Sequence, residues 1–192
     1  MTSVFDLLKK HLAQHIRVDD VQFEVFCKKF KVKQTSRNEI LLFGGDICPY
    51  MYFVNSGCLR IYMLDKAGRE STRFFVFEGK FGTAFPSFIL QEPSIAYIQS
   101  LEPSELLYIN YPDLQELINK FPNFEKAYRI NLEIEYISSI KRIESLISMD
   151  SNSRYQLLLK DSPALIKRLP SKIIADYLGI SQETLSRLKS KK

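Results

Sequence analysis

Residues 169–189 read LPSKIIADYLGISQETLSRLK, and this stretch sets the architecture around it. Ile173, Ile174, Ala175 and Leu178 give its first half a buried helical stripe, with Ala175 small enough for two helices to cross closely. Gly179 supplies a positive-φ position that ends that helix, Ile180 fills the corner, and Ser181 caps a second helix. Leu185 and Leu188, three residues apart, turn inward. Gln182, Glu183, Ser186, Arg187 and Lys189 are left outward. The pattern predicts a helix-turn-helix whose second helix is free to enter a major groove. An ordinary helical hairpin also needs a turn glycine and polar outer faces, but not this combination of small residue, cap and charge.

The outward set has specific chemistry. Arg187 can donate a bidentate pair to guanine, Gln182 can pair with adenine, and Glu183 can accept from cytosine. Ser171, Lys172, Ser181, Thr184 and Lys189 suit phosphates, as do the N–H groups at the helix starts. Charge distribution agrees. Residues 1–149 hold 18 basic and 18 acidic side chains, whereas residues 150–192 hold 9 basic and 4 acidic, so the net charge of +5 sits in the last 43 residues. A neutral body with a basic end points to a polyanion, and the helix-turn-helix favours DNA over an anionic membrane surface.

Upstream of this segment, Asp150–Ser153 is a polar break and a candidate hinge, followed by short helices at Arg154–Lys160, Ser171–Leu178 and Ser181–Lys189. Before it, Asn123 to about Met149 contains no Gly or Pro and predicts one long helix, with Asn123 as N-cap. Its apolar residues form two stripes: Ala127, Ile130, Ile134 and Ile137, and Leu132, Tyr136, Ile140, Ile143 and Ile147. A sheet can cover one. A second copy of the helix covers the other, unless the helix packs wholly within its own domain. The interface expected for a homodimer is therefore Leu132, Tyr136, Ile140, Ile143 and Ile147.

Farther upstream the period changes. Residues 3–29 read as helix with a break near Val18–Asp20. Alternation then begins at Phe30, Val32 and Gln34. Short β-rich runs follow at Ile40–Phe43, Tyr50–Val54, Leu59–Leu64, Ser71–Phe77, Ile95–Leu101 and Leu106–Ile109, separated by Gly, Asn and Asp turns. Seven or eight close-spaced strands predict a sandwich or barrel-like roll. The fold class is α+β: a jelly-roll-like, double-stranded β-helix sensor domain (residues 1–122), a connecting and dimerisation helix (123–149), and a small helix-turn-helix domain (150–192).

Other classes find little support. No apolar run approaches the length of a membrane span, and the N-terminus has no secretory pattern. Cys27, Cys48 and Cys58 lack metal-type spacing and read as reduced thiols of a cytoplasmic protein. His11 and His15 could share a helix face, but without a third ligand they read as solvated helix residues, and no metal site is expected. No nucleophile–base pair, phosphate loop or dinucleotide fingerprint suggests an enzyme.

The segment Ile174–Arg187 resembles the helix-turn-helix of the Crp/Fnr (catabolite activator-type) transcription regulators, and the roll-plus-long-helix layout extends the resemblance over nearly the whole chain. In that family the motif usually reads Ser-Arg-Glu-Thr-Val-Ser/Gly-Arg. The resemblance maps base contacts onto Gln182, Glu183 and Arg187, with Gln182 replacing an arginine. The family continues into a β-hairpin wing, whereas this sequence reaches Ser190-Lys-Lys, so Lys191 and Lys192 are expected to replace some backbone contacts. The resemblance implies double-stranded DNA, a second copy of the chain, RNA polymerase and a small effector as partners. The alternative is a regulatory or interaction protein whose degenerate helix-turn-helix does not read DNA.

The roll resembles a cyclic-nucleotide-binding domain through its Gly44-Gly45-Asp46 and Val54–Gly57 turns. The family's ligand cassette carries a Glu for the ribose and, about ten residues later, an Arg for the cyclic phosphate. Here Thr83 and Pro93 occupy those positions, so cyclic AMP is not expected in the usual mode and no cofactor is predicted. The candidate effector pocket comprises Phe81, Gly82, Thr83, Ala84, Phe85, Pro93 and Ser94. It reads either as a filled, ligandless core or as a site for a more apolar effector.

Overall fold

The computed structural model describes residues 3–190. Lys191 and Lys192, with their expected backbone contacts, lie outside the described residues. Helices α1 (Asp6–Ala13) and α2 (Asp20–Lys29) precede strands β1 (Lys31–Thr35), β2 (Ile40–Leu42), β3 (Tyr50–Ser56), β4 (Leu59–Leu64), β5 (Glu70–Val76) and β6 (Phe81–Gly82). Helix α3 (Phe85–Leu90) leads to β7 (Ala96–Ser100) and β8 (Ser104–Asn110). Helices α4 (Tyr111–Lys120), α5 (Pro122–Ser148), α6 (Ser151–Asp161), α7 (Pro163–Arg168), α8 (Ser171–Leu178) and α9 (Gln182–Ser190) complete the chain.

The strands form two four-stranded sheets, ordered β1-β8-β3-β6 and β2-β7-β4-β5, with every neighbouring pair antiparallel. One apolar core takes Phe53, Leu106, Leu107 and Ile109 from the first sheet and Leu59 and Ile98 from the second. Leu8, Phe26, Phe88, Leu114 and Leu117 close it from the helices. The β4–β5 hairpin follows from its turn chemistry: the Asp65 carboxylate accepts from the N–H groups of Ala67 and Arg69 at 2.8 and 2.9 Å. Between β3 and β4, Gly57 has φ +100°, and a Cβ there would lie 2.0 Å from Ser104 Oγ, so only glycine fits this corner.

Several local expectations need correction. The break expected near Val18–Asp20 is present but longer, covering residues 14–19, and the Asp19 side chain accepts from Gln22 N at 2.7 Å to start α2 afresh. Asn123 is not the cap of the long helix. Pro122 is its first residue, and the Asn123 side chain instead donates to Arg17 O and Gln22 Oε1, tying α5 to the N-terminal segment. Val32 is 46% exposed, so β1 turns its apolar residue outward. His11 is buried rather than solvated, edge-on to Phe53 and Phe81. Helices α3 and α7 lie where no helix was expected.

Two residues separate α5 from α6, and the second, Asp150, caps α6 with its carboxylate accepting from Ser153 N at 2.7 Å. The helices beyond that break are not detached. Tyr155, Leu158, Leu165, Leu169, Ile174, Leu178 and Leu185 form one apolar cluster with Cys58 and Leu101 of the roll.

Candidate nucleic-acid interface and roll cavity

Gly179 ends α8 at φ +66°, with Gly179 N and Ile180 N donating to Asp176 O and Ala175 O. Ser181 Oγ accepts from Thr184 N at 3.2 Å and starts α9. Leu185 is fully buried against Ile174, Ala175 and Leu178, which fixes the rotation of α9. That rotation exposes Gln182, Glu183, Ser186 and Arg187 together. Arg187 Nη2 donates to Thr184 Oγ1 at 3.2 Å, so Thr184, half-buried, braces the arginine. Lys189 Nζ donates to Ser171 Oγ at 2.8 Å, linking the end of α9 to the exposed start of α8, where Lys172 also lies. The nine residues expected at a DNA surface thus fall on α9 and the two helix starts beside it.

Helix α5 leaves much apolar surface open. Asn131, Glu135, Ser138, Arg142 and Ser145 line the cavity beside the roll together with Leu132, Tyr136, Ile140 and Ile143, and Tyr136 (69% exposed), Ile137 (55%), Ile143 (51%) and Ile147 (81%) are largely open. So many exposed apolar side chains along one helix are more than a self-contained domain leaves open. Of the expected interface, Tyr136, Ile140, Ile143 and Ile147 are exposed together and Leu132 is half-buried. Of the stripe expected under the sheet, only Ala127 is buried, while Ile134 and Ile137 are exposed.

The helical region docks on the roll through α7 and α8. Arg168 Nη1 donates to Glu78 Oε2 at 3.0 Å, Nη2 contacts both Glu78 and Glu102, and the guanidinium covers the Phe77 ring. The Glu78 carboxyl is held below its ordinary value chiefly by its hydrogen bond to Arg168. Tyr177 of α8 packs on Phe75 of β5 with ring centroids 5.0 Å apart.

Between the roll, α5 and the helical region lies a cavity of about 850 Å³. Phe81, Gly82, Thr83 and Phe85 line it. Ala84, Pro93 and Ser94 do not: Ala84 is buried in the roll core, Pro93 bridges to Ile47, and the Ser94 hydroxyl donates to Ala96 O. Sequence reasoning missed the opposite wall, where Glu135, Arg142, Arg154 and Tyr177 stand. The polar stripe 131-135-138-142 at helical spacing was the available signal. Burial raises the Glu135 carboxyl and lowers the Arg142 guanidinium from their ordinary values.

Residues 32–121 match the family model "Cyclic nucleotide-binding domain". The Anaerobic regulatory protein of Pasteurella multocida is 25% identical over 167 residues, 81% of this chain and 60% of its own length. The c-di-GMP responsive global regulator CLP of Xanthomonas campestris superposes with a TM-score of 0.74 at 20% identity, covering 90% of this chain and 91% of that one. A transcriptional regulator described as of the Crp/Fnr family from Eubacterium rectale gives 0.68 at 18% identity, covering 96% and 85%. The match covers the roll, and the chain as a whole shares the fold of these regulators. It spans about 60% of the length of the curated relative from Pasteurella. In this chain neither cassette position offers a charge to the cavity. Thr83 Oγ1 donates to Tyr50 O at 2.9 Å, and Pro93 is exposed and outside the cavity lining. Among the described residues no helix is long and apolar enough to cross a membrane, and no group of three His, Cys, Asp or Glu side chains could hold a metal.

Proposed function

We propose that this protein is a dimeric, sequence-specific DNA-binding transcription regulator that works in the cytoplasm, is not an enzyme, and has RNA polymerase as its downstream partner. The joint exposure of Gln182, Glu183, Ser186 and Arg187 on a helix anchored by buried Leu185 carries the reading. Residues 1–122 act as sensor, 123–149 as dimerisation helix and 150–192 as reading head. Ser171, Lys172, Ser181, Thr184 and Lys189 hold phosphates, while Gln182, Glu183 and Arg187 read bases. Two copies pair through Leu132, Tyr136, Ile140, Ile143 and Ile147. This places the reading helices about 34 Å apart on a near-palindromic site.

Cyclic AMP does not bind in the family's usual mode, since neither Thr83 nor Pro93 supplies a charge for it. The part of the cavity at Phe81, Gly82, Thr83 and Phe85 faces a different effector. Fluorescence anisotropy with duplex DNA tests the main claim: log affinity falls steeply with log salt and differs between sequences. No binding at low salt supports the alternative, a regulatory module that contacts protein. Calorimetric titration with cyclic AMP and cyclic GMP tests the second, and micromolar binding refutes it.

A further inference from the structure

The wall of the cavity opposite the roll carries two arginines that no carboxylate among the described residues pairs at ion-pair distance, although Asp150, the cap of α6, lies close enough to Arg154 to feel its charge. Arg142 of α5 stacks over the Tyr177 ring, 3.9 Å from the centroid, and its Nη2 donates to Tyr177 O. Arg154 of α6 donates through Nε to Leu178 O at 3.0 Å and through Nη1 to Met149 O at 2.6 Å. Two guanidiniums thus converge on consecutive carbonyls at the C-terminal end of α8. Part of this is helix capping, which favours cations at that end. Capping leaves Nε and Nη1 of Arg142 and Nη2 of Arg154 without a protein acceptor, and among the described residues neither arginine meets a carboxylate. Both belong to the cavity lining, as do Arg73, Lys80 and Lys141. Against these five cations stand three carboxylates, of which Glu78 is engaged by Arg168 and Glu135 is pushed toward its neutral form by burial. Apolar lining at this end comes from Phe75, Phe77 and Tyr177 with Leu157, Leu158 and Leu165, and the third carboxylate is that of Asp161.

We propose that this junction binds a small organic anion: one oxyanion group on a flat or branched apolar body, the oxyanion on Arg142 and Arg154 and the body against Phe75, Phe77 and Tyr177. A planar guanidinium fork matches an oxyanion bidentately, and the volume falls in the range of small-molecule sites. The seat differs from the cassette positions at Thr83 and Pro93, from which the charge is missing. It also lies at the end of α8, beside the Gly179 corner, so a ligand here touches the roll, the long helix and the reading head at once. The proposal concerns ligand chemistry and stands or falls independently of DNA reading.

The test uses the full chain and two probes of nearly one shape, anionic 1-anilinonaphthalene-8-sulfonate and uncharged N-phenyl-1-naphthylamine. The anionic probe is expected to bind saturably, one per chain. The double variant Arg142→Gln/Arg154→Gln weakens it by about tenfold or more, the loss of charge-assisted hydrogen bonds, and leaves the neutral probe within about twofold. Arg142→Lys/Arg154→Lys, which keeps the charge, retains most of the anionic binding. Unchanged anionic binding in the glutamine variant, or equal weakening of both probes, overturns the proposal. Should the glutamine pair lose its native circular dichroism, Arg154→Gln alone is judged by the same ratio between probes.

Discussion

Replacing Ile143 and Ile147 by glutamate tests whether the open apolar surface of α5 is the seat of a second copy. Both side chains are largely free in the single chain, at 51% and 81% exposure, so the substitution removes no intramolecular packing of consequence. Completing the burial of an isoleucine is worth about 1.5–3 kcal/mol. Scaled to the area these two leave open, each copy loses about 2–4 kcal/mol of association and the pair about 4–8 kcal/mol, which weakens the dimer by roughly three to six orders of magnitude. Apposed glutamates push in the same direction. Sedimentation velocity across a concentration series reads the result: a dimeric parent and a monomeric variant, with the variant's helical circular dichroism and thermal midpoint close to the parent's. A variant that still dimerises at the parent's affinity shows that the copies meet elsewhere. A parent that stays monomeric at high concentration removes the reason for the open apolar surface.

The remaining predictions concern single sites. His11, lowered by burial to about 4 from an ordinary 6.5, is neutral in the folded chain. The unfolded chain therefore takes up the proton first, and stability falls as pH drops from 6.5 to 4, by about 3 kcal/mol in all. Urea unfolding of His11→Leu at both ends of that range should show a flatter dependence. Gly57→Ala, forced into a positive φ with its Cβ on Ser104, should cost about 3 kcal/mol or more in the same assay. Ser181→Ala should cost the helical region about 1 kcal/mol through loss of the α9 cap, seen as faster amide exchange along α9. Arg168→Met should loosen docking on the roll by less than about 1 kcal/mol, because the ion pairs are partly exposed and screened. That pair weakens as pH falls through the depressed value of Glu78, and hydrogen exchange at α7 against pH tests it.

The reading head was legible because its determinants are local. The left-handed Gly179, the Ser181 cap and the small Ala175 each act within a few residues, and the structure has all three in those roles. Strand runs were legible for a similar reason, with Leu59–Leu64 bounded by turn residues on both sides. What depends on distant partners was not. His11 lies on a helix whose polar neighbours suggested solvent, but Phe53 and Phe81 from separate strands enclose it. Helices α3 and α7 have six residues each, too few for a helical period to stand out. Pro93 and Ser94 were placed with Phe81 and Phe85 by analogy along the chain. In space both lie outside the cavity, whose facing wall comes from α5, α6 and α8, up to about ninety residues away. Arg142 read as one more polar residue on a long helix, because nothing local shows that it points at Tyr177.

Selection of binding sites from random duplexes, followed by sequencing, tests the central claim most directly. The account predicts an enriched inverted repeat with half-site centres about 10 base pairs apart. It also predicts that Arg187→Ala flattens preference at one position per half-site while the others persist. A pool that stays random after selection at low salt, or a preference that Arg187→Ala leaves unchanged at every position, contradicts it.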